Sequence, residues 1–291
     1  MLIREAIARG VADLKLADIK SPQLDASLLL AHILNTNRTT LIAAGSETLS
    51  QEAYQTFCSL IKRRCNGECV AYIIGKKEFM GLEFAVNPFV LVPRPDTEIL
   101  VEAALFILLQ QAITTQNEFK ILDLCTGSGA VAISLKHEKP ELDVYVIDIC
   151  ADALETAKGN AAKLLPGSNI QFYQGDLYNA LPKSQFSTFN FQLIVSNPPY
   201  IPSDDISKLS IEIQREPRIA LDGGSSGLDV IKRIIDGAPD FLQQGGFLLM
   251  EADPGLMLEI NILLEQRGFI DIQLFNDLSG SQRVIGGKID K

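Results

Sequence analysis

The stretch FKILDLCTGSGA, residues 119–130, passes from an apolar run through two glycines into a helix starting near Ser128. An uninterrupted apolar run, as opposed to an alternating one, is what a strand covered on both faces requires. The same unit recurs. DVYVID (143–148), NIQFYQ (169–174), FQLIVS (191–196) and GFLLMEA (246–252) read as further strands. Helices are expected from about Ala151, near 228–242 and over LMLEINILLEQ (256–266). Strands alternating with helices predict a parallel sheet wound on both faces. IDIQLF (270–275) and QRVIGG (282–287) have no helix between them, so they predict a closing antiparallel hairpin. The expected fold class is α/β, a doubly wound, mostly parallel seven-stranded sheet of the nucleotide-binding kind.

The N-terminal text differs. SPQLDASLLLAHIL (21–34) offers Ser21 as an N-cap and Pro22 at the first helical position, and QEAYQTFCSLIKRR (51–64) is a second amphipathic helix. EFMGLEFAVNPFVLV (78–92), rich in Phe and Val and broken by Gly81 and Asn87–Pro88, predicts a β-hairpin. In PRPDTEILVEAALFILLQ (93–110), Pro95, Asp96 and Glu98 suit a helix's first turn. The expected organisation is a helical domain over 1–75, a linking hairpin over 76–93 and the sheet domain over 94–291.

Charge divides unevenly. Residues 1–80 hold ten Lys/Arg against eight Asp/Glu, while the remainder holds sixteen against twenty-eight. An acidic sheet domain argues against direct binding of nucleic acid, which needs a basic face. The cluster Lys62-Arg63-Arg64 is the exception. It serves either as a solvated helix end or as a dock for an RNA or another anionic partner. Five scattered cysteines in a chain without an export signal read as free thiols. Cys65 and Cys69 are four apart, but no further Cys or His stands at ligand spacing, so no metal is expected. The longest apolar runs, such as AALFILL (103–109), are far shorter than the roughly 20 residues of a membrane span. A soluble, cytoplasmic, monomeric protein is expected.

Ligands of doubly wound sheets sit at the carboxyl ends of the strands. Gly127 and Gly129 allow close backbone approach there, although a bare G-x-G turn packs a helix on a strand as readily as it binds anything. Asp148 closes the second strand, 21 residues after Gly127, where an acid can accept from both hydroxyls of a ribose. Position 132 is Ala where the dinucleotide fingerprint has a third glycine, so a nucleoside without pyrophosphate fits better. Asp176, in QGDLYN (174–179) at the third strand end, can accept from an adenine amino group, with Leu177 packing nearby. IVSNPPYI (194–201) poses a different problem, because a double proline cannot extend a sheet. It makes a rigid corner that presents carbonyls and few donors, a surface suited to a ligand bringing its own N–H groups.

DLCTGSGA, Asp148, GDLYN and IVSNPPYI together resemble the class I S-adenosylmethionine-dependent methyltransferases. GECVAYIIGKKEF, LVPRPDTEILVE and REPRIALDGGSSGLD are similar to segments of the release-factor glutamine methyltransferases, the HemK/PrmC family. The resemblance covers nearly the whole chain. NPPY alone is shared with enzymes that methylate amino groups of adenine or guanine, and a related group methylates glutamine of ribosomal proteins.

The resemblance implies an enzyme that moves a methyl group from S-adenosylmethionine to the side-chain nitrogen of the GGQ-loop glutamine in class I peptide chain release factors. Thr126, Gly127, Ser128, Gly129, Ala130, Asp148, Asp176 and Leu177 would hold the cofactor. Asn197 would touch cofactor and substrate, and Pro198, Pro199 and Tyr200 would frame the target. The Asn197 side-chain carbonyl and the Pro198 carbonyl would accept the two amide N–H bonds, with the Tyr200 ring against the flat amide. Arg94 either lines the site or braces a turn, and Glu216-Pro217-Arg218 buttresses the NPPY corner. One departure stands out: Glu251-Ala-Asp-Pro-Gly-Leu replaces the glycine and glutamine usual after that strand.

Overall fold

The computed structural model describes residues 1–112, 119–182 and 190–290. The chain divides into two compact units, one of 1–76 with 210–215, the other of 77–209 with 216–291.

The first unit is helical: α1 (Ile3–Leu16), α2 (Pro22–Ile33), α3 (Arg38–Ala43), α4 (Gln51–Cys65) and α5 (Val70–Ile74). Its core joins Leu14, Leu29, Leu30, Leu41, Phe57 and Ile61. Ser21 precedes α2 as expected, yet its hydroxyl donates to Asp25 Oδ1 at 2.8 Å and does not cap the helix. The basic cluster is mostly consumed internally. Arg64 is buried, with Nε donating to Asp25 Oδ2 at 2.7 Å and Nη2 to Glu212, while Arg63 pairs with Glu68. Both arginines are therefore engaged within the unit, where the sequence left a solvated helix end and a docking charge as alternatives.

In the second unit the chain begins with a two-stranded hairpin, β1 (Lys76–Phe79) and β2 (Leu82–Ala85). The hairpin is shorter than the expected 76–93, because Asn87–Pro88 ends the pairing and 86–94 runs on as irregular chain. Then follow α6 (Glu98–Ala112), β3 (Lys120–Leu124), α7 (Ala130–Glu138), β4 (Asp143–Asp148), α8 (Ala151–Leu164), β5 (Ile170–Gln174) and β6 (Phe191–Ser196). The short α9 (Ile211–Gln214) belongs to the first unit. After it come α10 (Asp229–Phe241), β7 (Leu242–Glu251), α11 (Met257–Arg267), β8 (Phe269–Asn276) and β9 (Gln282–Ile289).

The seven-stranded sheet has the order β5-β4-β3-β6-β7-β9-β8. It is parallel from β5 to β7 and closes with antiparallel β9 and β8, as the missing helix between them predicts. Two apolar layers cover it. Leu122, Ile194, Leu248 and Ile285 face α10 and α11, while Ile121, Val144, Val195 and Leu249 face α6, α7 and α8. Continuous apolar strands follow directly from that double covering. The strand order reverses at β3 and β6, which opens a crevice at their carboxyl ends.

Candidate active site

Carboxyl-end loops of β3 to β6 converge on a cavity of about 540 Å³. That lies within the roughly 300–1,000 Å³ of small-molecule sites. After β3, Thr126, Gly127, Ser128 and Ala130 line it. Gly127 has φ 56 and a Cβ there would meet nothing within 4 Å, so it faces the open cavity. Gly129 behaves differently. It is not in the cavity wall, and an added Cβ would approach Ile133 Cδ1 to 2.8 Å and Ala157 Cβ to 3.2 Å. The second glycine packs α7 against α8, a role beside its expected place among ligand contacts. Asn160 of α8 locks the loop from behind, donating to Ser128 O at 2.9 Å and Ala85 O at 3.0 Å.

Asp148 ends β4 beside this turn. Its Oδ2 accepts from Gly127 N–H at 2.8 Å and its Oδ1 from Cys150 N–H at 2.9 Å. Burial raises its pKa, and those amides pull it partly back. A carboxylate has about four lone-pair positions, so both oxygens keep capacity for a further donor.

Asp123, deeper in β3, also borders the cavity and accepts from Thr126 Oγ1 at 2.6 Å. Burial lifts it from 3.8 to about 7, opposed by hydrogen bonds from Thr126 and the Ala132 backbone, with the Asp148 charge adding to the rise. A raised folded value means the fold binds this proton more tightly than the unfolded chain. Its contribution to stability is full below the unfolded value of 3.8 and lost as pH rises through about 7. Thermal melting of the ligand-free protein should therefore drop between about pH 4 and about pH 7, and Asp123→Asn should flatten that slope. A slope unchanged in the variant would assign the titration elsewhere.

Asp176 lines the cavity beside Leu177, whose φ of 50 turns the chain sharply. The structure adds a partner with no signal in the sequence: Arg233 Nη2 donates to Asp176 Oδ2 at 2.6 Å. Both side chains are about half exposed. A pair in such a setting contributes at most about 1 kcal/mol, so a ligand donor can compete for it. Arg218, also in the wall, is likewise paired, with Asp222.

The NPPY corner closes the other side. Asn197 and Pro199 are in the wall; Pro198 is buried and Tyr200 half-buried, and neither is among the lining residues. Asn197 Nδ2 donates to Thr97 Oγ1 at 3.1 Å. Tyr200 turns its hydroxyl to Glu251 Oε1 at 3.3 Å. The corner is braced by Ile201, which donates to Leu221 O at 3.0 Å and accepts from Gly223 N–H at 2.9 Å. A Cβ on Gly223 would sit 2.8 Å from Pro199 O, so only glycine permits this approach. Arg94 resolves as a brace: it pairs with Glu216, whose Oε2 also accepts from Val92 N–H at 3.2 Å.

Sequence reasoning misses Thr97, Asn160, Arg233, Phe89 and Ile219, the last two being exposed apolar residues of the cavity wall. Thr97 lies inside the PRPDTE segment, which was its available signal. Among the described residues no cluster of His, Cys, Asp and Glu is arranged to hold a metal, and none of the five cysteines is in a disulfide.

A model of the PrmC N-terminal domain matches residues 5–75, and one of the methyltransferase small domain matches 103–221. The release factor glutamine methyltransferase of Neisseria gonorrhoeae is 40% identical over 273 residues, 94% of this chain and 95% of that one. The chain belongs to the release factor glutamine methyltransferase family. A second member, from Aliivibrio fischeri, is 37% identical over 286 residues and covers 98% of this chain and 97% of its own. Solved structures share the methyltransferase fold at much lower identity. The hMettl16 catalytic domain has a TM-score of 0.56 at 13% identity, covering 78% of this chain and 80% of that one. A T. thermophilus 16S rRNA methyltransferase, solved with AdoMet and guanosine, has a TM-score of 0.51 at 20% identity, covering 74% of this chain and 49% of its own. Among the described residues of this family member, no helix is long and apolar enough to cross a membrane.

Proposed function

We propose that this chain methylates the side-chain amide nitrogen of the GGQ-loop glutamine in class I peptide chain release factors, with S-adenosylmethionine as methyl donor. Membership of the family supports the reaction, and one observation carries the role of the site: Asn197 Nδ2 is engaged by Thr97. An amide has a donor end and an acceptor end. Holding the donor end on Thr97 leaves Oδ1 of this cavity-lining side chain to accept from a ligand N–H.

The residues present suit the donor molecule. Gly127 leaves open space beside the turn and Asp148 keeps acceptor capacity for ribose hydroxyls. Asp148 brings negative charge to the cavity without a basic partner of its own, and Asp123, raised to about 7, adds to it only where it ionises, whereas the wall arginines Arg218 and Arg233 are paired with acids. That balance favours a cationic ligand. When bound, S-adenosylmethionine supplies an electrophilic methyl on a sulfonium.

What remains for the protein is orientation, because a glutamine nitrogen is a weak nucleophile whose lone pair is shared with its carbonyl. Asn197 Oδ1 and the Pro198 carbonyl accept the two N–H bonds and aim the nitrogen at the methyl. Their negative ends also stabilise the positive charge growing on that nitrogen during attack. The prolines keep the corner from adjusting, and water takes the proton released. The helical unit contributes binding energy remote from the reaction, by docking the release factor.

Labelled methyl cofactor supplied with a purified release factor, a ribosomal protein mixture and nucleic acid separates this reading from its relatives. Label confined to the release factor is expected. Label in adenine or guanine would assign the shared NPPY chemistry to a nucleic-acid amino group instead.

A further inference from the structure

Asn160 of α8 is 0% exposed and uses both ends of its amide on the backbone. Its Oδ1 accepts from Ala85 N–H at 2.8 Å, while Nδ2 donates to Ala85 O at 3.0 Å and to Ser128 O at 2.9 Å, which occupies both of its protons. The two partners belong to different parts of the site. Ser128 lies in the turn after β3 and lines the cavity, whereas Ala85 ends β2 and is not among the lining residues. One turn earlier on α8, Thr156 Oγ1 accepts from Asn87 Nδ2 at 2.8 Å, and Asn87 Oδ1 accepts in turn from Phe89 N–H at 3.0 Å. Residues four apart share a helical face, so α8 grips the chain leaving β2 at two neighbouring points.

That chain leads to the other half of the site. From Ala85 it runs through Phe89, Val90, Leu91 and Pro93, which border the cavity, to Thr97, whose Oγ1 accepts from Asn197 Nδ2 at 3.1 Å. Midway it is fixed again, where Val92 N–H donates to Glu216 Oε2 at 3.2 Å. Hydrogen bonds therefore join the turn after β3, through Asn160 and residues 85–97, to the NPPY corner. We propose that Asn160, with Thr156 one turn before it, is a positioning residue for methyl transfer: it ties the cofactor turn to segment 85–97 and so holds the methyl donor and the Asn197 corner at a fixed spacing. The inference rests on the reading of Gly127 and Ser128 as cofactor contacts and of Asn197 as acceptor for the glutamine amide. Spacing matters because a misplacement of about 1 Å, caused far from the chemistry, can cost roughly 10²-fold in rate.

Only an amide on this short stem meets all three backbone groups. Aspartate keeps the acceptor for Ala85 N–H but sets its second oxygen against the Ser128 and Ala85 carbonyls. Alanine or leucine leaves Ala85 N–H and both carbonyls without this partner, at a site closed to water. Asn160 is not among the residues lining the cavity, so any effect of it on the reaction is exerted through Ser128 and Ala85.

The first test needs no methyl acceptor. Hydrogen exchange of residues 82–88, none of which is among the lining residues, is measured with and without S-adenosylhomocysteine. In wild type the ligand should slow exchange there by about fivefold, the low end of coupling between sites. In Asn160→Ala the ligand should still protect 126–130 and leave 82–88 unprotected. The second test is single-turnover methylation of intact release factor with cofactor and factor saturating. Asn160→Ala should be slower by about 10- to 100-fold, a larger change than in its cofactor Kd. Should that variant not fold, Thr156→Val decides: it releases only Asn87, so it should keep the wild-type cofactor Kd and lose about threefold in rate. An amide that merely satisfies buried backbone would lower the melting temperature and leave rate and protection as in wild type. That result, a wild-type rate in Thr156→Val, or no protection of 82–88 in wild type overturns the proposal. Failure of wild type to methylate the factor, with 82–88 protected, would instead defeat the proposed function and leave the tie between turn and segment standing.

Discussion

Asn197→Ala is expected to lower kcat for release-factor methylation by roughly 10²–10³, the scale of losing one preorganised hydrogen bond to developing charge. The structure gives this residue no large load elsewhere. Among the described residues its side chain makes one bond, to Thr97, and the corner is braced independently by the Ile201 pairing with Leu221 and Gly223. Stability should therefore change little while the chemical step collapses. Asn197→Asp keeps an acceptor near the same position and should retain more activity than alanine, although its second oxygen can only accept and must rely on the Thr97 hydroxyl as donor. Cofactor affinity should fall less than turnover in both, because the Gly127 turn and Asp148 remain. Single-turnover rates measured beside thermal melting decide the matter. A well-folded Asn197→Ala enzyme working at the wild-type rate would remove Asn197 from the reaction.

Asp148→Ala acts on the other half of the site. Hydrogen bonds to a charged acceptor are worth roughly 1.5–3 kcal/mol each, so losing two ribose contacts should raise the cofactor Kd by about 10²-fold or more. The variant also strips an acceptor from Gly127 N–H and Cys150 N–H, which loosens the turn that borders the cavity. Asp148→Asn separates these effects. It keeps the shape, but its NH₂ must meet a backbone donor, so it should bind cofactor only slightly better than alanine. Calorimetric titration reads both, and unchanged affinity in a folded variant would exclude the ribose role.

Much of this architecture is legible in the sequence because its signals are local. The apolar strands, the turn at Gly127, the acid 21 residues beyond it and the double proline each declare themselves within a few residues. The family likeness joins them. What stays hidden is long-range. Thr97 meets Asn197 across 100 positions, Asn160 reaches Ala85 across 75, and Arg64 reaches Glu212 across 148, distances over which a single sequence carries no pairing signal. Burial is hidden as well. Lys62-Arg63-Arg64 reads as a solvated end, yet Arg64 is enclosed between two acids. The two glycines of the turn look equivalent as letters, but Gly127 faces the cavity and Gly129 faces Ala157 and Ile133. Only the packing of α7 on α8 tells them apart. Asp176 is where the third strand end puts it, but its partner Arg233 comes from α10, 57 residues on.

The decisive measurement is tandem mass spectrometry of a release factor after incubation with the enzyme and isotopically labelled S-adenosylmethionine. A single labelled methyl on the side-chain nitrogen of the GGQ-loop glutamine, absent when the Asn197→Ala enzyme is used for the same short time, is expected. Label on another residue or a backbone atom, or on that glutamine equally with either enzyme, would contradict a mechanism in which Asn197 aims the amide nitrogen at the methyl group.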